Sequence, residues 1–99
     1  MTEFIFQHIA NMNLEEDVEL LRVMAHPIRL KIVNELSKQN TLNVTQLTNI
    51  LNIPQSTVSQ HLSKMKGIVL KGNRKGTEIY YDIHNQKAEK VIKLLNQMH

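Results

Sequence analysis

Five residues in one short run, Gln55, Ser56, Thr57, Ser59 and Gln60, carry amides and hydroxyls that both donate and accept hydrogen bonds. The segment around them, PQSTVSQHLSKMKG from Pro54 to Gly67, contains no carboxylate. At about 100° per residue, Val58, Leu62 and Met65 share one stripe of a helix, and Ser56, Ser59, Gln60, Ser63 and Lys64 fall largely opposite. Such a helix packs on its stripe and offers hydrogen bonds outward. A DNA major groove, about 12 Å wide, admits one helix and displays donors and acceptors on its base edges; glutamine can pair bidentately with adenine, and serine or threonine serves a base or a phosphate. An acid on that face would be repelled by phosphate, whereas the N–H groups of the helix N-terminus add phosphate donors. Gln55, Ser56, Thr57, Ser59, Gln60 and Lys64 are therefore the expected DNA contacts. His61, at the edge of the apolar stripe, is expected to pack half-buried.

Other chemistry finds little footing. The chain has no cysteine, which removes disulfides, thiolate metal sites and a thiol nucleophile. It shows no carboxylate pair, no Ser-His-Asp arrangement and no glycine-rich phosphate loop, so no enzymatic activity is expected. Asp82 and His84 share a strand face at i and i+2, too slight a pattern to assign a metal.

The elements that must hold the polar helix follow from period and punctuation. Asn13 and Glu16 form a capping pattern ahead of Leu14, Val18, Leu21 and Ala25, which places a first helix over about 14–25. Pro27 starts the next, with Ile28, Ile32, Val33 and Leu36 on its apolar side, and His26 before it takes a capping or packing role. Asn43 and Gln46 cap a short third helix ending near Leu51, with Leu42 and Leu47 as a hydrophobic staple. Only Asn52, Ile53 and Pro54 separate it from the polar helix, so the two form a helix-turn-helix in which Thr45 and Gln46 are placed to clamp the DNA backbone. Beyond Gly67, alternation at Ile79, Tyr81 and Ile83 around a basic turn reads as a hairpin whose tip, Arg74 and Lys75, can reach phosphates or the minor groove. Asn85 caps a last helix bearing Val91, Ile92, Leu94, Leu95 and Met98. The glycines, Gly72 included, are read as boundaries.

The order, α-α-α-α-β-β-α, is a mainly helical fold with a small hairpin. One domain spans 1–99: an arm at 1–13, the helix-turn-helix at 43–66, a wing at 68–83 and a terminal helix at 85–98. Three segments, LLRVMAHPIRLKIVNEL, STVSQHL and NRKGTEIYY, resemble in order and spacing the ArsR/SmtB repressors, winged helix-turn-helix proteins of bacteria, over nearly the whole chain. The resemblance implies a homodimeric repressor whose first and last helices form a twofold interface. The expected interface residues are Phe4, Phe6, Ile9, Leu14, Val18, Leu21, Val91, Leu94, Leu95 and Met98. A twofold dimer sets two recognition helices about 34–36 Å apart, so the expected partner is double-stranded DNA carrying an inverted repeat. Many members of that family release DNA on binding metal, but Asn43 and Thr45 stand where their cysteines would, and Asn85, Lys87 and Met98 at the Asp, His and His positions of the last helix. No metal or cofactor is expected.

Charge supports the same partner. The net charge is +3, with five acidic and no basic residues over 1–21, and no acidic residue over 36–77, where Lys38, Lys64, Lys66, Lys71, Arg74 and Lys75 lie. A winged-helix module binding an acidic protein would also suit a basic face, but nucleic acid accounts better for so long an acid-free run. No secretory or membrane-spanning pattern opens the chain, and a cytoplasmic protein is expected.

Overall fold

In the computed structural model, which describes residues 13–97, the chain enters helix α1 (Leu14–Met24) at Asn13, whose Oδ1 accepts from the Glu16 N–H at 3.1 Å. Glu15, Glu16 and Asp17 in the first turn complement the helix dipole. The helix is apolar on two sides. Leu20, Val23 and Met24 are buried, whereas the stripe that defines the helix in the sequence, Leu14, Val18 and Leu21, is 50–55% exposed. Phe4, Phe6, Ile9 and Met98 lie outside the described residues.

Helix α2 (Pro27–Gln39) begins with Pro27 in its first turn, where a missing N–H costs nothing. His26 caps it, Nδ1 accepting from the Ile28 N–H at 3.1 Å, so the expected capping role holds. Ile32, Val33 and Leu36 are buried on the face that packs on the rest of the molecule. Asn40, at φ 71°, ends the helix in a conformation asparagine tolerates better than most residues.

Strand β1 (Leu42–Asn43) runs directly into α3 (Val44–Leu51), and α4 follows at Gln55–Met65. The expected capping box is complete: Asn43 Oδ1 accepts from the Gln46 N–H at 2.8 Å, and Gln46 Oε1 from the Asn43 N–H at 2.9 Å. Leu42 and Leu47 are both buried. Asn52 closes α3 in the left-handed region, φ 55°, which makes the three-residue turn to α4 possible without glycine.

Strands β2 (Leu70–Lys75) and β3 (Glu78–Ile83) form the hairpin, joined by Gly76 at φ 66° and Thr77, the residue order a two-residue turn of type II′ requires. The sheet has three strands rather than two, in antiparallel order β1-β3-β2, with Leu42 opposite Tyr81 and Asn43 opposite Tyr80. Two residues are too few to show alternation, and Asn43 also signals a helix cap, so the sequence gives no sign of β1. Helix α5 (Gln86–Gln97) closes the fold; Asn85 Oδ1 caps it by accepting from the Lys87 N–H at 2.9 Å.

One core joins these elements, with Ile32, Val33, Leu47, Val58, Met65, Val69, Leu70 and Ala88 all fully buried within it. Gly72 is not a boundary, as its position among the punctuation suggests, but lies inside β2 opposite Tyr81. A Cβ there would sit 2.9 Å from Ile79 Cγ2 and 3.2 Å from Tyr81 Cε1, so glycine leaves room for these two side chains to fold across the strand. Gly72→Ala should therefore lower stability by about 1–2 kcal/mol through overpacking, in spite of alanine's better strand propensity. A urea midpoint equal to or above that of the parent would contradict this.

Candidate nucleic-acid interface

Helix α4 sorts its residues as its period requires. Val58, Leu62 and Met65 are buried at 0–1% exposure and fasten the helix to the core. Gln55, Ser56, Gln60, Ser63 and Lys64 are exposed, and Thr57 and Ser59 are half-buried along the flanks. Among the described residues of this helix none is acidic, so its outer face combines amides, hydroxyls and one ammonium.

The start of α4 is open. Pro54 occupies the cap position and brings no side-chain acceptor, and its carbonyl takes the N–H groups of Thr57 and Val58 at 3.1 Å. The N–H groups of Gln55 and Ser56 are thereby left to point outward at the positive end of the helix dipole, where an anion is stabilised. The start of α3 is the reverse case. Its capping box consumes the Gln46 carbonyl oxygen, so Gln46 has only its amide N–H groups to donate, whereas Thr45 keeps an exposed hydroxyl. Both can serve a phosphate, Gln46 as donor alone.

The wing divides its cations between two faces. Arg74 lies two residues from Gly72 and opposite Ile79, on the same side of β2 as the apolar residues, and extends beyond them at the exposed tip. Lys75 faces the other way, its Nζ 5.6 Å from the centre of the Tyr80 ring, an arrangement that rests the ammonium on the sheet. Further down that face, Asp82 Oδ1 lies 4.0 Å from Lys71 Nζ, and its other oxygen accepts from Asn73 Nδ2 at 3.4 Å. Lys71 is thus partly neutralised and contributes less to the basic surface than its place in the acid-free run suggests. The Asp82 carboxylate is engaged within the hairpin.

His61 is half-buried, as expected from the edge of the stripe, but its surroundings were not legible in the sequence. Its ring centre is 4.4 Å from that of His26, and its Nδ1 accepts from Arg29 Nε at 3.1 Å. The sequence does not single out Arg29, at the start of α2: its partners are the Val23 carbonyl and His61, 32 positions away, and no local spacing points to the latter.

Helices α1 and α5 also carry exposed apolar side chains. Leu14, Val18 and Leu21 are exposed on α1, Leu94 (58%) and Leu95 (41%) on α5, and Val91 is half-buried. The two helices are tied by Lys87 Nζ, 2.7 Å from Asp17 Oδ1, an ion pair with no counterpart in the sequence reading.

Comparison with known proteins agrees with this arrangement. Residues 26–68, from the cap of α2 to just past α4, match the family described as bacterial regulatory protein, arsR family. The transcriptional repressor PagR of Bacillus anthracis is 65% identical over 96 residues, 97% of each chain. Its crystal structure superposes with a TM-score of 0.82 at 68% identity, covering 85% of this chain and 97% of its own. The transcriptional activator HlyU of Vibrio cholerae is 33% identical over 98 residues, 91% of this chain and 90% of its own.

Proposed function

This chain belongs to the ArsR family of bacterial regulatory proteins and is a DNA-binding transcriptional regulator, and from that premise we propose that it represses transcription as a homodimer seated on an inverted repeat. The observation that carries the reading is the outer face of α4, exposed, acid-free and rich in groups that donate and accept, with the N–H groups of Gln55 and Ser56 open at its start. In this reading Gln55, Ser56, Ser59 and Gln60 meet base edges and phosphates in the major groove. Thr57 and Lys64 flank them, Thr45 and Gln46 hold the strand beside the groove, and Arg74 and Lys75 take the next phosphates along. The exposed leucines and valine of α1 and α5, with the arm before them, join two copies. Repression by occupying a promoter needs no catalysis. The setting is the cytoplasm, where a bacterial chromosome lies, and no described helix is long and apolar enough to cross a membrane.

Regulation does not run through the family's metal positions in this proposal. Asn43 is spent on the capping box of α3, and the Lys87 ammonium already occupies the Asp17 carboxylate. The sign of regulation follows PagR, a repressor, rather than the more distant HlyU, an activator.

The test is selection of bound fragments from a genomic DNA pool with purified protein, followed by binding measurements across a salt series. Fragments sharing an inverted repeat with half-sites about one helical turn apart, and an affinity falling linearly in log salt by about 0.9 per phosphate contacted, are expected. Fragments without a common motif, captured equally at all salt concentrations, would refute the reading.

A further inference from the structure

We propose that Arg29 is a positioning residue for DNA recognition, tying the reading helix α4 to the end of α1 through an unprotonated His61. The inference deepens the function proposed above and rests on it. The geometry is a bridge across three helices. Arg29 Nη1 donates to the Val23 carbonyl at 3.0 Å, and Arg29 Nε donates to His61 Nδ1 at 3.1 Å. Val23 lies in the last turn of α1, where carbonyls lack partners within their own helix, so the guanidinium caps α1 while its other edge holds α4. A planar guanidinium fixes the angle between its N–H groups, and with both engaged α4 loses freedom to roll about its axis. His61 directly follows Gln60, so a roll that displaces one turns the other. The helix that bears the exposed leucine stripe is thus joined by side-chain bonds to the helix that faces DNA.

The bridge works only with a neutral imidazole. His61 Nδ1 is an acceptor here, which places its proton on Nε2; His26 Nδ1 is likewise an acceptor, from the Ile28 N–H, and its ring lies against His61. Protonation of His61 would turn its acceptor into a donor aimed at a guanidinium. The charges acting on His61 are His26 and Arg29 from the start of α2 and Lys64 from α4 itself, all positive or able to become so. Burial first, and these neighbours after it, hold its pKa below the ordinary 6.5. The folded state therefore binds fewer protons than the unfolded one in that range. The stability owed to the neutral ring is present above 6.5 and lost as pH falls through the folded value.

Two experiments on the full chain decide it. In the free protein, imidazole nitrogen shifts should show the Nε2–H tautomer of His61 titrating below 6.5. An Nδ1–H tautomer, or titration at or above that value, would overturn the bridge. With the fragment selected from genomic DNA as probe and random-sequence DNA as reference, the affinity ratio of the parent should fall as pH is lowered from about 7.5 through the folded-state value of His61, approaching about tenfold once that ring is protonated, the loss expected for one hydrogen bond to a charged group. His61→Asn keeps an acceptor at the Nδ1 position without a titratable ring, and should hold its ratio across that range. Arg29→Lys keeps the charge but not the fork; it should show a ratio about tenfold lower at every pH, with random-sequence affinity unchanged. Identical pH profiles for the parent and His61→Asn, or a parental ratio in Arg29→Lys, would refute the positioning role. Absence of any preferred fragment at neutral pH would instead overturn the function on which that role rests, whatever the His61 tautomer.

Discussion

Lysine at both Leu21 and Leu94 should leave the protein a folded monomer and weaken operator binding by two to four orders of magnitude. Both side chains are more than half exposed in the single chain, 52% and 58%, so an ammonium at either place costs the monomer nothing in its core. In the proposed dimer the same positions are covered, and a charge buried without a partner is strongly unfavourable. The size of the effect on DNA comes from linkage rather than from lost contacts. One half-site holds only one reading helix, and the second is delivered at high effective concentration by the partner, an advantage worth about 10²–10⁴ in affinity. Sedimentation equilibrium gives the first half of this expectation and operator titration the second. A double variant that stays dimeric would show that these leucines are not the seam, and a monomer that binds the operator like the parent would show that binding does not draw on a linked second copy.

The second large effect falls on the inner face of the reading helix. Leu62 is 1% exposed and belongs to the central cluster, so Leu62→Ala should cost about 2–5 kcal/mol from lost transfer energy and the cavity left behind. A domain of this size has only about 5–15 kcal/mol in total, and each kcal/mol lowers Tm by about 4–8 °C. The variant should therefore melt about 10 °C or more below the parent, measured by circular dichroism. Gln60→Ala, two residues away on the exposed face, should stay within about 0.5 kcal/mol of the parent. Equal losses from the two would mean that the helix is not divided into a packing side and a free side.

That division was legible because it rests on helical period and residue type alone. The stripe of Val58, Leu62 and Met65, the box of Asn43 and Gln46, and the alternation of Ile79, Tyr81 and Ile83 each carry a local signal, and each appears in the structure as the sequence implies. What escaped depends on distant partners. Strand β1 exists because Tyr80 and Tyr81 of β3 lie alongside Leu42 and Asn43, some forty residues away in the chain. The need for glycine at position 72 comes from side chains across the hairpin. Helix α1 misleads in another way: its most regular apolar stripe faces outward, and the residues it buries, Leu20, Val23 and Met24, follow a second stripe beside the first. Of the reading-site residues, Gln46 changes most, since its carbonyl oxygen is spent within its own helix. The bridge through Arg29 joins residues 32 positions apart, and no local pattern shows it.

In the proposed complex the outer face of α4 reads bases while the wing only holds phosphate. The direct measurement is the affinity of Gln60→Ala and Lys75→Ala for the operator and for each of its single-base variants, over a range of salt. Gln60→Ala should erase the preference at one base position, a loss of about 1–3 kcal/mol confined to that position. Lys75→Ala should weaken all sequences alike and reduce the salt slope by about one. Uniform losses from both substitutions, with every base preference intact in Gln60→Ala, would contradict that assignment of roles.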